Sequence, residues 1–313
     1  MTTALLIVSA LLASSPPAKN VAPSAPGKLT LTDVPPSPGA GAAAPIAAVK
    51  TWEGFSTPES VLYDAETDMY LVSNINGLPL TVDNNGFISR IAPEGEVTLK
   101  WIEGGKNGVT LNGPKGMGIS KGVLYVADIS TVRKFDVKTG KPLGEVAISK
   151  ATFVNDVAVG PDGAVYASDS GLKAGAKDFE PSGTDGVYLI EKNGAKALAK
   201  AGDMGKPNGV LVGKGGLQYV TFGSNELVSL DAKGVKTASV KLPKGGLDGV
   251  VLVDGEMIIS SWEGSALYRG KPEGPFTEWK KDVKAPADIG LDTKRKWVLV
   301  PRFMDHKVEA YGL

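Results

Sequence analysis

The run FVNDVAVGPDGAVYASDS, residues 153 to 170, holds two short apolar stretches joined by a Pro-Asp-Gly turn. Turn residues between β-branched and aromatic runs predict an antiparallel strand pair. Five more stretches repeat the pattern: PESVLYDAETDMYLVSNI from Pro58, PKGMGISKGVLYVADIS from Pro114, PNGVLVGKGGLQYVTFGS from Pro207, LDGVVLVDGEMIISSW from Leu247 and PADIGLDTKRKWVLVPRF from Pro286. Between them lie more polar pairs of period two with Gly-containing turns, such as GFISRIAPEGEVTLKW and ELVSLDAKGVKTASV. Each unit is therefore four strands long and recurs at intervals of roughly 40 to 55 residues, the length of a propeller blade. No extended helical period interrupts the series, which excludes leucine-rich and helical solenoids. The pattern predicts an all-β, six-bladed β-propeller with four-stranded antiparallel blades over residues 45–313. The segment IAAVKTWEGF is expected to supply the outer strand of the last blade, closing the ring and leaving no free sheet edge.

Composition narrows the setting. The chain has 313 residues, with 34 Lys and Arg balanced by 34 Asp and Glu, so no global field favours nucleic acid or an anionic membrane. Cysteine is absent, which removes disulfides, thiolate metal sites and a cysteine nucleophile together. MTTALLIVSALLASS, residues 1–15, has an apolar core too short to span a bilayer and suited to a signal peptide. Residues 16–44 are rich in Pro, Ala, Ser and Gly and read as a disordered linker. The expectation is an exported monomer, periplasmic or secreted, with no integral membrane span after processing.

In a propeller the first strand of every blade lines the central channel, so equivalent repeat positions form a ring about the axis. At the position of Asn155 the six copies carry Glu59, Lys115, Asn155, Asn208, Asp248 and Ala287. Four are oxygen donors, two carboxylates and two carboxamides, and each precedes an apolar strand. Asn and Asp also open turns on their own account, but Glu59 does not fit that role. Two carboxylates facing one another across a channel repel unless a cation lies between them. An all-oxygen set without His or Cys suits a hard ion: Ca²⁺ first, with water filling its shell, and Mg²⁺ second.

With these residues in place the chain resembles the SMP-30/gluconolactonase/LRE-like family of six-bladed propellers, relatives of paraoxonases and diisopropylfluorophosphatase. The resemblance covers nearly all of residues 50 to 313. Its specific part is the ordered ligand set Glu59 in PESV, Asn155 in FVNDV, Asn208 in PNGV and Asp248 in LDGV. It implies one divalent cation held by Glu59, Asn155, Asn208 and Asp248, a catalytic role for Asp248, and hydrolysis of a small-molecule lactone or other ester. Asp248 would then serve as base toward water, or as nucleophile in phosphoester-type chemistry. Two departures bear on the substrate. Where the family's sugar lactonases carry a basic residue, two places before the third-blade Asn, this chain has Phe153. Where paraoxonases use a His pair, it has the single His306, in the turn DHK. A non-catalytic propeller that binds a protein or small ligand around a structural calcium is the rival reading.

Other motifs carry less. Gly118-Ile-Ser120-Lys-Gly122 matches G-x-S-x-G, but a nucleophile elbow needs a strand-to-helix turn and a His base, and here the motif falls in a β-turn. VDNNGF lacks the spacing and terminal Glu of an EF-hand loop. Lys115 is expected to face the channel and pair with substrate or Asp156, or else to extend outward.

Overall fold

The computed structural model describes residues 46–313 apart from Lys177 and Lys214; segments 1–15 and 16–44 lie outside the described residues. Among the described residues there is no helix, and hence none long and apolar enough to cross a membrane. Six four-stranded antiparallel sheets form the blades of a propeller.

The chain opens with β1 (Lys50–Glu53) and then builds the first blade from β2 (Pro58–Asp64), β3 (Met69–Asn74), β4 (Phe87–Ile91) and β5 (Val97–Glu103). The second blade comprises β6 (Pro114–Ser120), β7 (Val123–Asp128), β8 (Thr131–Asp136) and β9 (Pro142–Ala147). The third comprises β10 (Val154–Val159), β11 (Val165–Asp169), β14 (Gly186–Glu191) and β15 (Gly194–Lys200), interrupted by a separate hairpin, β12 (Leu172–Ala174) with β13 (Phe179–Pro181). The fourth contains β16 (Pro207–Gly213), β17 (Gly216–Thr221), β18 (Glu226–Leu230) and β19 (Lys236–Lys241). The fifth contains β20 (Leu247–Val253), β21 (Glu256–Ser261), β22 (Ala266–Gly270) and β23 (Phe276–Lys280). The sixth runs β24 (Gly290–Asp292), β25 (Trp297–Arg302) and β26 (Lys307–Gly312), and its outer edge is β1, paired from Lys50↔Ala310 to Glu53↔Lys307. The expected closure by the KTWE segment is thus what the fold contains, and the last blade joins both ends of the described chain.

The core lies between blades. Leu71, Ile88 and Ile102 of the first blade pack on Met117, Leu124 and Phe135 of the second, and Val132 and Val146 of the second on Val154, Ala167 and Tyr188 of the third. Because the middle strands are covered on both faces, they read as nearly unbroken apolar runs, as in MYLVSN and EMIISS. The outer strand β19 (KTASVK) is mostly exposed, and lysines blunt its free edge. At the closure, Trp52 is buried against Val308 and Leu299 and meets Tyr70 edge-on with ring centroids 5.4 Å apart. Trp52→Ala should therefore destabilise the protein by about 3 kcal/mol or more, whereas Thr51→Ala on the exposed face should cost under about 0.5 kcal/mol. Urea unfolding of the two variants checks this; equal midpoints would show that β1 does not close the ring.

Candidate functional site

The inner strands are irregular at one place. In β6, β10, β16 and β20 the register slips so that two residues face one on the neighbouring strand: Lys115 and Gly116, Asn155 and Asp156, Asn208 and Gly209, Asp248 and Gly249. In β2 the slip leaves Glu59 as the extra residue. A bulge bends its strand and re-aims the side chain it carries, and here it turns the ring residues toward the axis. The ladder bonds lost at the bulges are replaced locally. Ser73 Oγ accepts the Ser60 N–H (2.9 Å), Ser168 Oγ that of Asp156 (3.0 Å) and Ser260 Oγ that of Gly249 (2.8 Å). The glycines behind the ring are required by close approach. A Cβ on Gly116 would lie 2.1 Å from Asp156 Oδ1, and one on Gly209 2.3 Å from the Asp248 carbonyl.

Glu59, Lys115, Asn155, Asn208 and Asp248 come together on one cavity of about 100 Å³. Ala287, the sixth member of the repeat position, is buried beside Ile75 and Phe303 and is not among the lining residues. The four predicted oxygen donors share a more telling property. Glu59 Oε2, Asn155 Oδ1, Asn208 Oδ1 and Asp248 Oδ1 are all buried with no hydrogen-bond partner. Leaving a buried polar atom unpaired costs about 1–3 kcal/mol, and only three other such side-chain atoms occur among the described residues, on Trp52, Asn85 and Tyr188. The other arms of two of these residues are held: Trp262 Nε1 donates to Asp248 Oδ2 (2.6 Å) and Asn155 Nδ2 to Ser170 Oγ (3.0 Å). Unpaired oxygens converging on one cavity fit a hard cation. Among the described residues no three His, Cys, Asp or Glu side chains form a metal-ligating group, so the two amide oxygens would be essential to any shell here.

Two further acids sit next to the ring: Asp156, expected from the sequence only as one candidate partner of Lys115, and Asp288, which the repeats do not single out. Asp156 accepts the N–H groups of Val157 and Val210, both at 2.6 Å, tying the third blade to the fourth. Asp288 accepts the Ser60 hydroxyl (2.5 Å), tying the sixth to the first. Burial pushes all four carboxyls up. Asp248 rises to about 7, against the opposing pull of the Trp262 N–H, and Asp156 to about 6. Glu59 and Asp288 also rise well above the ordinary carboxylate range, through burial and neighbouring negative charge. Lys115 does not offset them freely. Its Nζ is buried, donates to the carbonyls of Gly113 (2.8 Å) and Pro79 (3.1 Å), and lies 4.7 Å from the centre of the Phe153 ring. It neither pairs with Asp156 nor extends outward; it anchors the Gly77–Pro79 loop to the cavity wall. Burial shifts its pKa downward, with Glu59 and Asp128 opposing.

The remaining motif residues lie elsewhere. Ser120 ends β6 and donates to the Gly163 carbonyl (2.7 Å), so G-x-S-x-G spans an ordinary strand and hairpin turn. Asn84 of VDNNGF accepts the Leu111 N–H (2.8 Å), binding its loop to the second blade's entry. His306 is exposed, and its Nδ1 accepts the Thr57 N–H (3.0 Å), away from the cavity lining.

Solved structures share this architecture. A gluconolactonase from Xanthomonas campestris superposes with a TM-score of 0.63 at 14% identity, covering 83% of this chain and 88% of that one. The fold is that of the gluconolactonase propellers. A putative gluconolactonase matches equally well (TM-score 0.63, 17% identity, 86% of this chain and 93% of that one). A virginiamycin B lyase from Staphylococcus aureus, a histidine-to-alanine variant described as catalytically inactive and bound to quinupristin, matches at 0.56 and 16%, over 84% of this chain and 99% of the lyase. No family model and no curated protein sequence matches the chain.

The raised carboxyls set a sign for stability. A carboxyl whose folded pKa exceeds its unfolded value of about 3.9 favours folding below that value and loses the contribution as pH climbs through the folded pKa. In chelator, therefore, stability should fall between about pH 4 and 8, steepest between the unfolded value and the Asp156 and Asp248 values of about 6 and 7, and level off above them. Millimolar Ca²⁺ should remove most of that fall in the wild type and little of it in Asn208→Ala. Denaturation midpoints across pH check both statements; a calcium-independent pH profile would count against a cation at the ring.

Proposed function

We propose that this propeller is a metal-dependent hydrolase of lactones or related esters, acting at the cavity over the Glu59, Asn155, Asn208 and Asp248 ring. The observation that carries the reading is the set of four partnerless oxygens at one end of an otherwise apolar pocket. Calcium takes six to eight oxygens, so four from protein leave positions open to water and substrate, which favours an enzyme over a binding module with a closed structural ion. When bound, the ion would supply positive charge to the ester carbonyl and to the oxyanion that forms from it.

The chain's own residues have separable tasks. Trp262 fixes Asp248 Oδ2 and leaves Oδ1 facing the cavity. From there Asp248 takes a proton from water as the water oxygen bonds to the carbonyl carbon. When the acyl–oxygen bond breaks, that proton passes to the departing alkoxide, giving a hydroxy acid from a lactone or an acid and alcohol from an ester. Ser170 holds the Asn155 amide so that its oxygen keeps its aim, and the apolar walls limit bulk water. The likeness to the lyases supports no comparable reading, because the single histidine, His306, sits outside the cavity.

The test separates ligand from catalyst. A panel of aliphatic and aromatic lactones, aryl esters and organophosphates is assayed with calcium and with chelator. Asp248→Asn should lower turnover by about 10² to 10⁴-fold at saturating calcium, with no rescue by further metal. Asn155→Asp, which adds charge to the ring without removing the base, should retain turnover. Full rescue of Asp248→Asn by calcium would demote Asp248 to a ligand, and no turnover of any panel member would refute the hydrolase.

A further inference from the structure

The cavity's walls contrast with its polar end. Two aromatic groups face it. Phe153 meets Phe179 edge-on at 5.7 Å, while Trp262 lies 6.2 Å from Phe222 and 5.3 Å from Phe303. Phe179 and Leu172 belong to the β12–β13 hairpin, an insertion that no other blade has among the described residues and that adds apolar wall to the third-blade side. The few polar groups beyond the ring are already engaged. Ser170 Oγ donates to the Pro207 carbonyl (2.6 Å) and accepts from Asn155, and the Lys115 ammonium is held by two carbonyls and covered by Phe153.

From this arrangement we infer that the site selects a ligand with one polar carbonyl end and an aromatic or bulky apolar body, and rejects polyhydroxylated ones. For turnover the inference rests on the hydrolytic reading above; for binding it does not. A sugar lactone would bring several hydroxyls against rings that offer no partner, and each stranded hydroxyl lowers affinity by about tenfold or more. An aromatic body instead gains buried area and ring–ring contact.

The experiment pairs turnover with binding in the full chain with saturating calcium. Dihydrocoumarin and glucono-δ-lactone serve as substrates; 4-phenyl-2-butanone, which cannot be hydrolysed, and sorbitol serve as ligands in calorimetry. The expected result is a kcat/KM for dihydrocoumarin at least 100-fold above that for glucono-δ-lactone, and binding of the ketone but not sorbitol. Phe179→Ser, on the hairpin outside the blades, should raise KM and the ketone Kd about tenfold with a smaller change in kcat, while Phe179→Leu should stay within about threefold of wild type. Ketone binding that depends on Phe179, with neither lactone hydrolysed, would support the ligand class and count against lactone hydrolysis. Equal or better use of glucono-δ-lactone, or ketone binding no tighter than sorbitol, would overturn the inference.

Discussion

Six inner strands converge on one axis, five of them bulge there, and four of the residues so brought together carry oxygen: Glu59, Asn155, Asn208 and Asp248. Glu59 and Asp248 face the same cavity, with Asp156 and Asp288 beside them, and the single buried ammonium nearby is committed to backbone carbonyls. Like charges in a low-dielectric interior must either take up protons or share a cation. Burial and neighbouring charge raise the carboxyl pKa values, which is the first solution, and the four partnerless oxygens would suit the second, as proposed above. The local irregularities answer to this constraint. Each bulge aims a ring residue inward, serines on adjacent strands replace ladder bonds at three of them, and glycines allow neighbouring blades to approach behind the ring.

The blades hold that convergence rigidly, as the proposed cation site would require, because ions are bound by geometry as much as by charge. Rigidity comes from apolar layers between every pair of neighbouring blades and from the closure of the last blade by β1, which turns an open stack into a ring. Acid side chains reinforce the entries to the inner strands. Asp128 accepts the Gly113 N–H at 2.8 Å, and Asp169 accepts that of Phe153 at 2.9 Å, just before Lys115 and Asn155. The bonds from Asp156 to the fourth blade and from Ser60 to Asp288 add blade-to-blade links close to the axis. The site is thus built from the same contacts that hold the ring together.

Much of this could be read from the chain alone. Period-two patterning and repeat length identified the blades, and aligning the repeats brought Glu59, Asn155, Asn208 and Asp248 to one position because a propeller maps repeat position onto distance from the axis. What escaped reading depends on contacts between repeats. The β12–β13 hairpin lies in LKAGAKDFEP, whose strand patterning is weak. The inward Ser73, Ser168 and Ser260 interrupt apolar strands, a signal present in VSN, ASD and ISS, yet their purpose appears only once the bulge is seen. Lys115 occupied the right ring position, but nothing local to it discloses that the Pro79 carbonyl, from the preceding blade's loop, would capture its ammonium.

The central claim is that the four partnerless oxygens form one hard-cation site, and the Trp262 indole bonded to Asp248 offers a direct way to test it. Terbium, a hard oxygen-seeking ion, luminesces when an adjacent indole transfers energy to it. Titration of the chelator-treated protein should give sensitised emission that saturates at one ion per chain and is displaced by calcium. The Trp262→Phe variant should bind the same single ion by calorimetry with most of the emission lost. Absence of saturable binding, or emission that survives excess calcium, would contradict a cation site at the mouth of this propeller.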